Sequence, residues 1–397
     1  MISLAMIVKD ESARLPGCLA SVAGAVDEIV VVDTGSSDGT PGLARSRGCR
    51  VVAWPWRDDF AAARNESLRH ATGDWVLVLD ADERLSPGAD ALVRAATKAT
   101  PGEGLNCQLV SALPPDHPAP TIAAWYCRLF RRRPDYRFEG RVHEQIAPSI
   151  VAAGGRIERS AVTIAHLGYA EPSAAKVARN LRLLRRQLED RPQDAFALFN
   201  LGLTLQTKGE WSKAADAFER ALAVSTPPLP RDLRAVAWTK LAEGRFARAQ
   251  WTEAVRAAEK SLAEEPTLAL ARYVLGRALF ETGGIERAAA TFGELLDRPA
   301  DALGMTLHRH LPAMGLAVCR LRQRRFNDAV SVLVSSAAAD ASGESAFHLA
   351  NAYVGLGRLE EAATSYRAAR KAGLQHPDLE RRLKLCERLI AAIPEKK

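Results

Sequence analysis

Cysteine is sparse and unpatterned in this chain. Cys18, Cys49, Cys107, Cys127, Cys319 and Cys386 are scattered over 397 residues without a C-x-x-C pair, which excludes a dense disulfide framework and a thiolate zinc site. They read as small buried hydrophobes of a reducing compartment. No apolar run reaches the roughly 20 residues needed to span a bilayer. Residues 3–11, SLAMIVKDE, meet charge after a short apolar run and have no basic leader, unlike a targeting segment. The expected location is cytoplasmic, in solution or peripherally at a membrane. Charge is not strongly one-sided: the net value is +7, and a pI of about 9.2 does not by itself imply nucleic acid. No nucleic-acid partner is expected.

What is present is globular. Hydrophobic residues make up 47% and charged residues 25%, too apolar for a disordered chain, and the length suits two or three domains. EIVVVD (28–33) and WVLVLD (75–80) are unbroken apolar runs ending in a carboxylate, as strands of a sheet covered on both faces should be. Around them lie an opening strand (2–8), a helix spaced by Leu15, Leu19, Val22 and Val26, a second helix (40–47), a third strand (50–53) and a third helix (61–70). This alternation predicts a doubly wound α/β sheet, which binds ligands beyond the carboxyl ends of its strands. Asp33 and Asp80 fall at such ends.

From about residue 194 the sequence becomes alanine-rich, helical and self-similar at spacings near the 34 residues of a tetratricopeptide repeat. Successive repeats carry Leu201-Gly202 with Phe218, Leu241-Ala242 with Ala254, Leu275-Gly276 with Phe292, Leu316-Ala317 with Ala329, and Leu349-Ala350 with Tyr366. The small residues permit close helix packing and the large ones fill the gaps between hairpins. His308 and His310, in the irregular fourth repeat, look structural.

Two blocks carry the chemistry, DTGSSDGT (33–40) and DADE (80–83). A carboxylate leaving a strand end can accept the N3–H of a uracil ring, with Gly and Ser behind it turning the chain past a nucleotide. The bland alternative is an Asp-Gly turn between strand and helix. In DADE, two carboxylates at i and i+2 on an extended tip point the same way and can serve one hard divalent cation and the diphosphate it bridges. Asp82 is the better direct ligand, with Asp80 nearer the ribose and Glu83 completing a negative pocket. Alone, a D-x-D triplet is often a chance surface feature. The order of the two blocks, each at a strand end, gives them joint meaning.

EIVVVDTGSSDGT resembles the nucleotide-sugar-binding motif of family 2 glycosyltransferases, inverting enzymes of the GT-A fold, over roughly residues 1–170. The resemblance implies a GT-A domain over 1–170, a linker helix over 171–193, an all-α tetratricopeptide repeat solenoid over 194–376 and a capping helix over 377–397. It implies donor binding by Val8, Lys9, Glu11, Asp33, Asp80, Ala81 and Asp82. Asp33 takes the base, while Asp38 is a turn or supporting residue. DDFAAARN (58–65) is similar to a segment of the repeat-bearing subgroup, so Arg64 and Asn65 are candidates for the donor phosphates; an amphipathic helix with an exposed arginine is the alternative.

The same subgroup directs attention to RLFRRRPDYRFEGRVHEQI (128–146). An inverting transfer needs a general base, and Glu144 is the candidate, with Glu139 its rival and His143 able to orient base or acceptor. Adjacent residues on a strand face opposite ways, so one of His143 and Glu144 is expected to point inward. Arg131, Arg132 and Arg141 are candidates to stabilise the leaving group. In IAHLGY (164–169), His166 matches the distal histidine that related enzymes supply to the metal or pyrophosphate, which makes it a candidate metal ligand; a packing histidine is the alternative.

The implied activity is transfer of a hexose from a UDP-sugar, with Mg²⁺ or Mn²⁺, to an acceptor. The repeats suit a peptide or protein acceptor, or self-association as a homodimer. Cell-surface polysaccharide, lipopolysaccharide or a small molecule is the alternative acceptor. A repeat scaffold with a degenerate transferase domain would show broken metal chemistry, whereas these carboxylates are intact. A nucleotidyltransferase would carry a glycine-rich phosphate loop after the first strand, where Lys9-Asp10-Glu11-Ser12 stands instead. No Q-x-x-R-W motif is present, so processive synthesis is not expected.

Overall fold

The computed structural model describes residues 1–112, 121–167, 173–297, 307, 309–334, 340 and 342–392. Gly168, Tyr169, His308 and the end of the expected capping helix lie outside the described residues. The chain forms two compact units, Met1–Leu229 and Pro230–Lys397. Among the described residues, no helix is long and apolar enough to cross a membrane.

The first unit runs β1 (Ile2–Val8), α1 (Leu15–Ser21), β2 (Glu28–Asp33), α2 (Thr40–Ser46), β3 (Arg50–Ala53), α3 (Phe60–His70), β4 (Trp75–Val78), β5 (Glu83–Leu85), α4 (Ala89–Ala99), β6 (Gly104–Ala112), β7 (Thr121–Arg131), α5 (Ala147–Ala152), β8 (Ile157–His166), α6 (Ala174–Asp190), α7 (Ala195–Thr207) and α8 (Trp211–Ala223). The sheet order is β3-β2-β1-β4-β7-β6-β8-β5. Its first four strands are parallel, as the β-α alternation predicts. The other half is mixed rather than doubly wound: β7 joins β4 antiparallel, β6 pairs antiparallel with β7 and parallel with β8, and β5 closes the edge antiparallel to β8.

Period-two alternation sends the strand side chains into two cores. Leu4, Met6, Val8, Leu77, Leu79 and Leu129 face α1, α2 and α4, burying Leu15, Cys18, Leu19, Ala44 and Val93. Ala5, Val76, Val78 and Phe130 face the other way, towards Ala61 of α3, Ile150 of α5 and Tyr136, Phe138 and Ile146. All six cysteines are buried free thiols.

The first unit extends through α8 because α6 packs on the sheet domain. Leu183 and Leu184 of α6 and Ala197 of α7 share a core with Val142, Trp56 and Phe60. Asp58, at φ 57°, fastens this contact. Its carboxylate accepts from the Trp56 indole at 3.0 Å, from both Arg182 terminal nitrogens and from Arg186 at 2.6 Å. These hydrogen bonds, led by Arg182, hold the Asp58 pKa down at about 2.

The second unit stacks α9 (Arg231–Ala247), α10 (Trp251–Glu264), α11 (Ala269–Glu281), α12 (Ile285–Asp297), α13 (His310–Arg322), α14 (Phe326–Val334), α15 (Glu344–Gly355), α16 (Leu359–Lys371) and α17 (Leu379–Ala391). α17 buries Leu379, Leu383 and Cys386 on α15 and α16 and leaves Leu385 and Leu389 exposed. A Cβ on Gly276 would meet the Phe292 ring at 2.8 Å, so the small residue is a packing requirement. A Cβ on Gly293 would meet nothing within 4 Å.

Two stability outcomes follow from this packing. A depressed carboxylate pKa stabilises the fold above the unfolded value of about 3.9, and that contribution is lost as pH falls towards the folded value. Asp58→Asn should therefore lower the melting temperature at pH 6 and converge on the unaltered chain near pH 2; a gap independent of pH would contradict the clamp. Gly276→Ala should destabilise, because overpacking costs about 1–3 kcal/mol against a helix-propensity gain of about 1 kcal/mol. Gly293→Ala should stabilise, and thermal melts of the pair should shift in opposite directions.

Candidate active site

The carboxyl ends of β2, β1 and β4 lie side by side, since Val8 pairs with Asp33 and Ala5 with Val78. The loops that leave them are tied together. Asp10 accepts from the Ser37 backbone at 2.7 Å, and Asp38 accepts from the Ser12 backbone at 2.9 Å and from Thr40. These bonds hold the Asp38 carboxyl well below the aspartate range. Asp33 is 8% exposed and folds its carboxylate onto its own turn, accepting from the amides of Gly35 and Ser36. The Trp54 amide donates to the Asp33 carbonyl at 2.8 Å, and Arg57 stacks 4.5 Å from the Trp54 ring. Trp54 and Arg57 therefore flank the expected base position, although no motif marked them. Val8 is buried, with its carbonyl accepting from Thr34; Lys9 is exposed.

The centre of the site is a buried arginine. Arg64, with a 5% exposed side chain, sits on the inner face of α3, donates from Nη2 to Asp80 Oδ1 at 2.5 Å and from Nε to Glu144 Oε1 at 2.8 Å. Its Nη1 is buried without a hydrogen-bond partner among the described residues. Asn65, the neighbouring candidate for phosphate contact, is spent elsewhere: it accepts from the Phe138 amide at 2.7 Å and donates to the Phe138 carbonyl at 3.0 Å. It thereby fixes the segment that carries Glu144.

That segment is not a strand. Residues 138–146 form an irregular loop closed by the Glu139–Gln145 bridge, so the alternation expected for His143 and Glu144 does not apply. His143 takes φ 57° and is exposed, while Glu144 turns inward. A non-glycine residue in the left-handed region stores strain of a kind found at functional sites. Glu144 is held through Oε1, and its Oε2 accepts nothing from the described residues. Glu139 pairs with Arg137 at 3.0 Å and is not part of the cluster.

The D-x-D residues separate in role. β4 ends at Val78, two residues short of the expected strand end, because the Asp80 amide donates to Glu83 Oε2 at 2.9 Å and turns the chain. Glu83 is 1% exposed and its Oε1 accepts from Arg128 at 2.6 Å. It is therefore a neutralised prop rather than part of an open negative pocket, and burial raises its pKa. Burial opposes the charge of Asp80, but Arg64 and Arg128 outweigh it and hold the carboxyl well below the aspartate range. Ala81 is buried and its carbonyl accepts from Arg84. Burial raises the Glu11 pKa, with Asp82 and Asp80 adding to the effect.

Asp82 faces His166. The β5–β8 pairing sets Glu83 opposite His166, and His166 Nε2 lies 3.4 Å from Asp82 Oδ2. His166 Nδ1 is 3.0 Å from Ser111 Oγ. The mutual hydrogen bond lowers the Asp82 pKa and raises that of His166. Among the described residues, no three His, Cys, Asp or Glu side chains converge as a metal site. A carboxylate and an imidazole at this separation suit two adjacent ligands of one octahedral cation, whose cis positions lie about 3 Å apart, with phosphate oxygens and water completing the shell.

The basic run behaves differently from expectation. Arg131 lies over the Trp75 ring beside Glu103, Arg132 donates to the Gly73 carbonyl, and both stand at the amino end of β4, the wrong edge for a leaving group. Arg141 does not join the cluster; it pairs with Asp190 at 2.8 Å because its loop faces α6. Arg128 reaches the site instead. The β6–β7 register slips between Leu105 and Asn106, leaving Arg128 as an extra residue, and such a bulge re-aims a side chain. Its guanidinium meets Glu83 and lies 3.6 Å from Asp80.

Residues 3–110 match the family model "Glycosyl transferase family 2", and tetratricopeptide repeat models match 197–232, 239–302 and 314–377. The chain thus carries a family 2 glycosyltransferase domain followed by tetratricopeptide repeats. It is 35% identical over 235 residues to a TPR repeat-containing protein of Synechococcus elongatus, spanning 57% of each chain. It is 26% identical over 227 residues to the SPbeta prophage-derived glycosyltransferase SunS of Bacillus subtilis, spanning 56% of this chain and 53% of that one. An uncharacterized glycosyltransferase of Rickettsia felis is 38% identical over 85 residues, 21% of this chain and 30% of its own length. The chain spans little more than half the length of the first two relatives.

The Arg128–Glu83 pair can be tested without a substrate. Removing one partner of a buried ion pair strands the other at a cost of about 3–5 kcal/mol. Arg128→Met should lose stability on that scale in denaturant unfolding, and Arg128→Met with Glu83→Leu should recover most of it. A single substitution costing under about 1 kcal/mol would show that the pair is solvated.

Proposed function

We propose that the chain is a metal-dependent inverting glycosyltransferase that moves a hexose from a UDP-sugar to a peptide or protein acceptor. The family 2 domain and the glycosyltransferase relatives support the class. The observation that carries the finer reading is the pairing of Asp82 with His166 beside the Arg64-bridged carboxylates Asp80 and Glu144, at the carboxyl ends of the parallel strands. Asp33, two strands over from Asp80 with β1 between them, and Trp54 beside it would take the base.

Each residue then has a duty that its surroundings permit. Asp82 and His166 would hold Mg²⁺ or Mn²⁺, which supplies charge to offset the departing diphosphate. Arg64, whose buried Nη1 has no partner among the described residues, keeps Asp80 ionised and in place. Glu144 removes the proton from the acceptor, and its carboxylate is oriented by Arg64 Nε. The repeats offer an extended surface for the acceptor or for a second copy of the chain. A cytoplasmic location fits this reading.

Calorimetry of the full chain with UDP, GDP and UDP-sugars in the presence of Mn²⁺ tests the donor. Tighter UDP binding is expected; an equal response to GDP removes the uridine assignment. Asp82→Ala should abolish Mn²⁺-dependent UDP-sugar hydrolysis while leaving the melting temperature near that of the unaltered chain, and full activity would sink the metal role. Glu144→Gln should retain UDP binding while transfer falls about 10²–10⁴-fold. Loss of UDP binding in that variant would mean Glu144 belongs to the donor site.

A further inference from the structure

We infer that the face of α6 beside Glu144 is an acceptor-recognition surface selective for acidic peptide, which deepens the transferase reading and rests on it. α6 carries Lys176, Arg179, Arg182 and Arg186 along the side that meets the sheet domain, and among the described residues the carboxylate that forms ion pairs with them is Asp58, which takes Arg182 and Arg186. Lys176 and Arg179 have no carboxylate partner among the described residues. Arg179 is half-buried over the Phe60 ring at 5.0 Å, with only the Asn180 amide oxygen at 3.2 Å. Burial and Arg182 both disfavour its charge, and Glu144 is the carboxylate that favours it. Lys176 sits in the first turn of α6, where the helix dipole already disfavours a cation.

A cation that is partly desolvated, near other cations and without an ion-pair partner among the described residues is poorly placed for stability alone. It is well placed to attract an anion. Desolvation first, and then the charges of Lys176 and Arg179, disfavour protonation of His143, the left-handed residue adjoining Glu144. An acceptor docked on this face of α6 and carrying Asp or Glu near the modified residue would neutralise Lys176 and Arg179. Peptide is the favoured class because α6 leads directly into α7 and α8, the first repeat hairpin, with Leu183, Leu184 and Ala197 in one core.

The test uses the full chain and three fluorescent peptides of equal length, each with a central Ser-Cys pair flanked by Glu, Gln or Lys. Anisotropy at low and at 0.5 M-scale salt should give at least about tenfold tighter, salt-sensitive binding of the Glu peptide. Arg179→Gln with Lys176→Gln should reduce that preference to the Gln level, Arg179→Lys should keep part of it, and Arg179→Glu should move it towards the Lys peptide. Equal affinity for all three peptides, or a preference that survives the double substitution, overturns the inference. So does tighter binding to phosphatidylglycerol vesicles than to the Glu peptide, lost in the same variants. UDP-sugar hydrolysis by the unaltered chain is measured in parallel: its absence overturns the transferase reading, while the peptide preference is still decided by anisotropy.

Discussion

One buried guanidinium organises the site. Arg64 joins three stretches that are far apart in sequence, the helix after β3, the turn after β4 and the irregular loop before α5, by holding Asp80 and Glu144 at once. In a site of low polarity such a cation is tolerable only with carboxylates against it, and each carboxylate is tolerable only with the cation. The arrangement is thus self-enforcing. It also depends on α3 being anchored independently: Asp59 caps the helix through the Ala62 amide, the Phe60 amide donates to the Arg141 carbonyl, and Asn65 grips both backbone groups of Phe138. The helix that supplies Arg64 is also the template for the loop that supplies Glu144.

This division of charge explains why two aspartates two residues apart behave differently. Asp80, Glu83 and Glu144 are matched to Arg64 and Arg128 within a largely closed network. Asp82 stands outside it, with an imidazole as its partner. A proton on that imidazole competes directly with a cation for the same nitrogen, whereas an arginine would exclude the cation outright. Of the two carboxylates, only Asp82 therefore has a partner that can yield to a metal ion.

The sequence made the parallel strands, the first three helices and the repeat register legible, because each rests on local periodicity. It also placed Asp82, His166, Arg64 and Glu144 among the candidates, and the structure brings these into one cluster with Asp80. What it hid was non-local. The slip that aims Arg128 at Glu83 depends on the pairing of β6 with β7, and counting along RLFRRR favoured Arg131 and Arg132, which the antiparallel direction of β7 sends to the far edge. Trp54 carries no motif at all; its place beside Asp33 comes from the β2–β3 pairing. Glu83 looked like a third open carboxylate because nothing local foretold its burial.

The composition changes near residue 194 and the first repeat model matches from residue 197, while the first compact unit runs on to Leu229. α6 begins beyond the sheet, but its apolar face is covered by Val142, Trp56 and Phe60, and its basic face is clamped by Asp58. Val142 lies two residues from Glu144. Any force on α7 and α8 that tilts α6 is therefore transmitted to the loop carrying the proposed base through a close-packed contact, which has little room to yield. The first repeat hairpin is thus packed into the same compact unit as the proposed base, and it is α6, between the two, that carries Lys176 and Arg179.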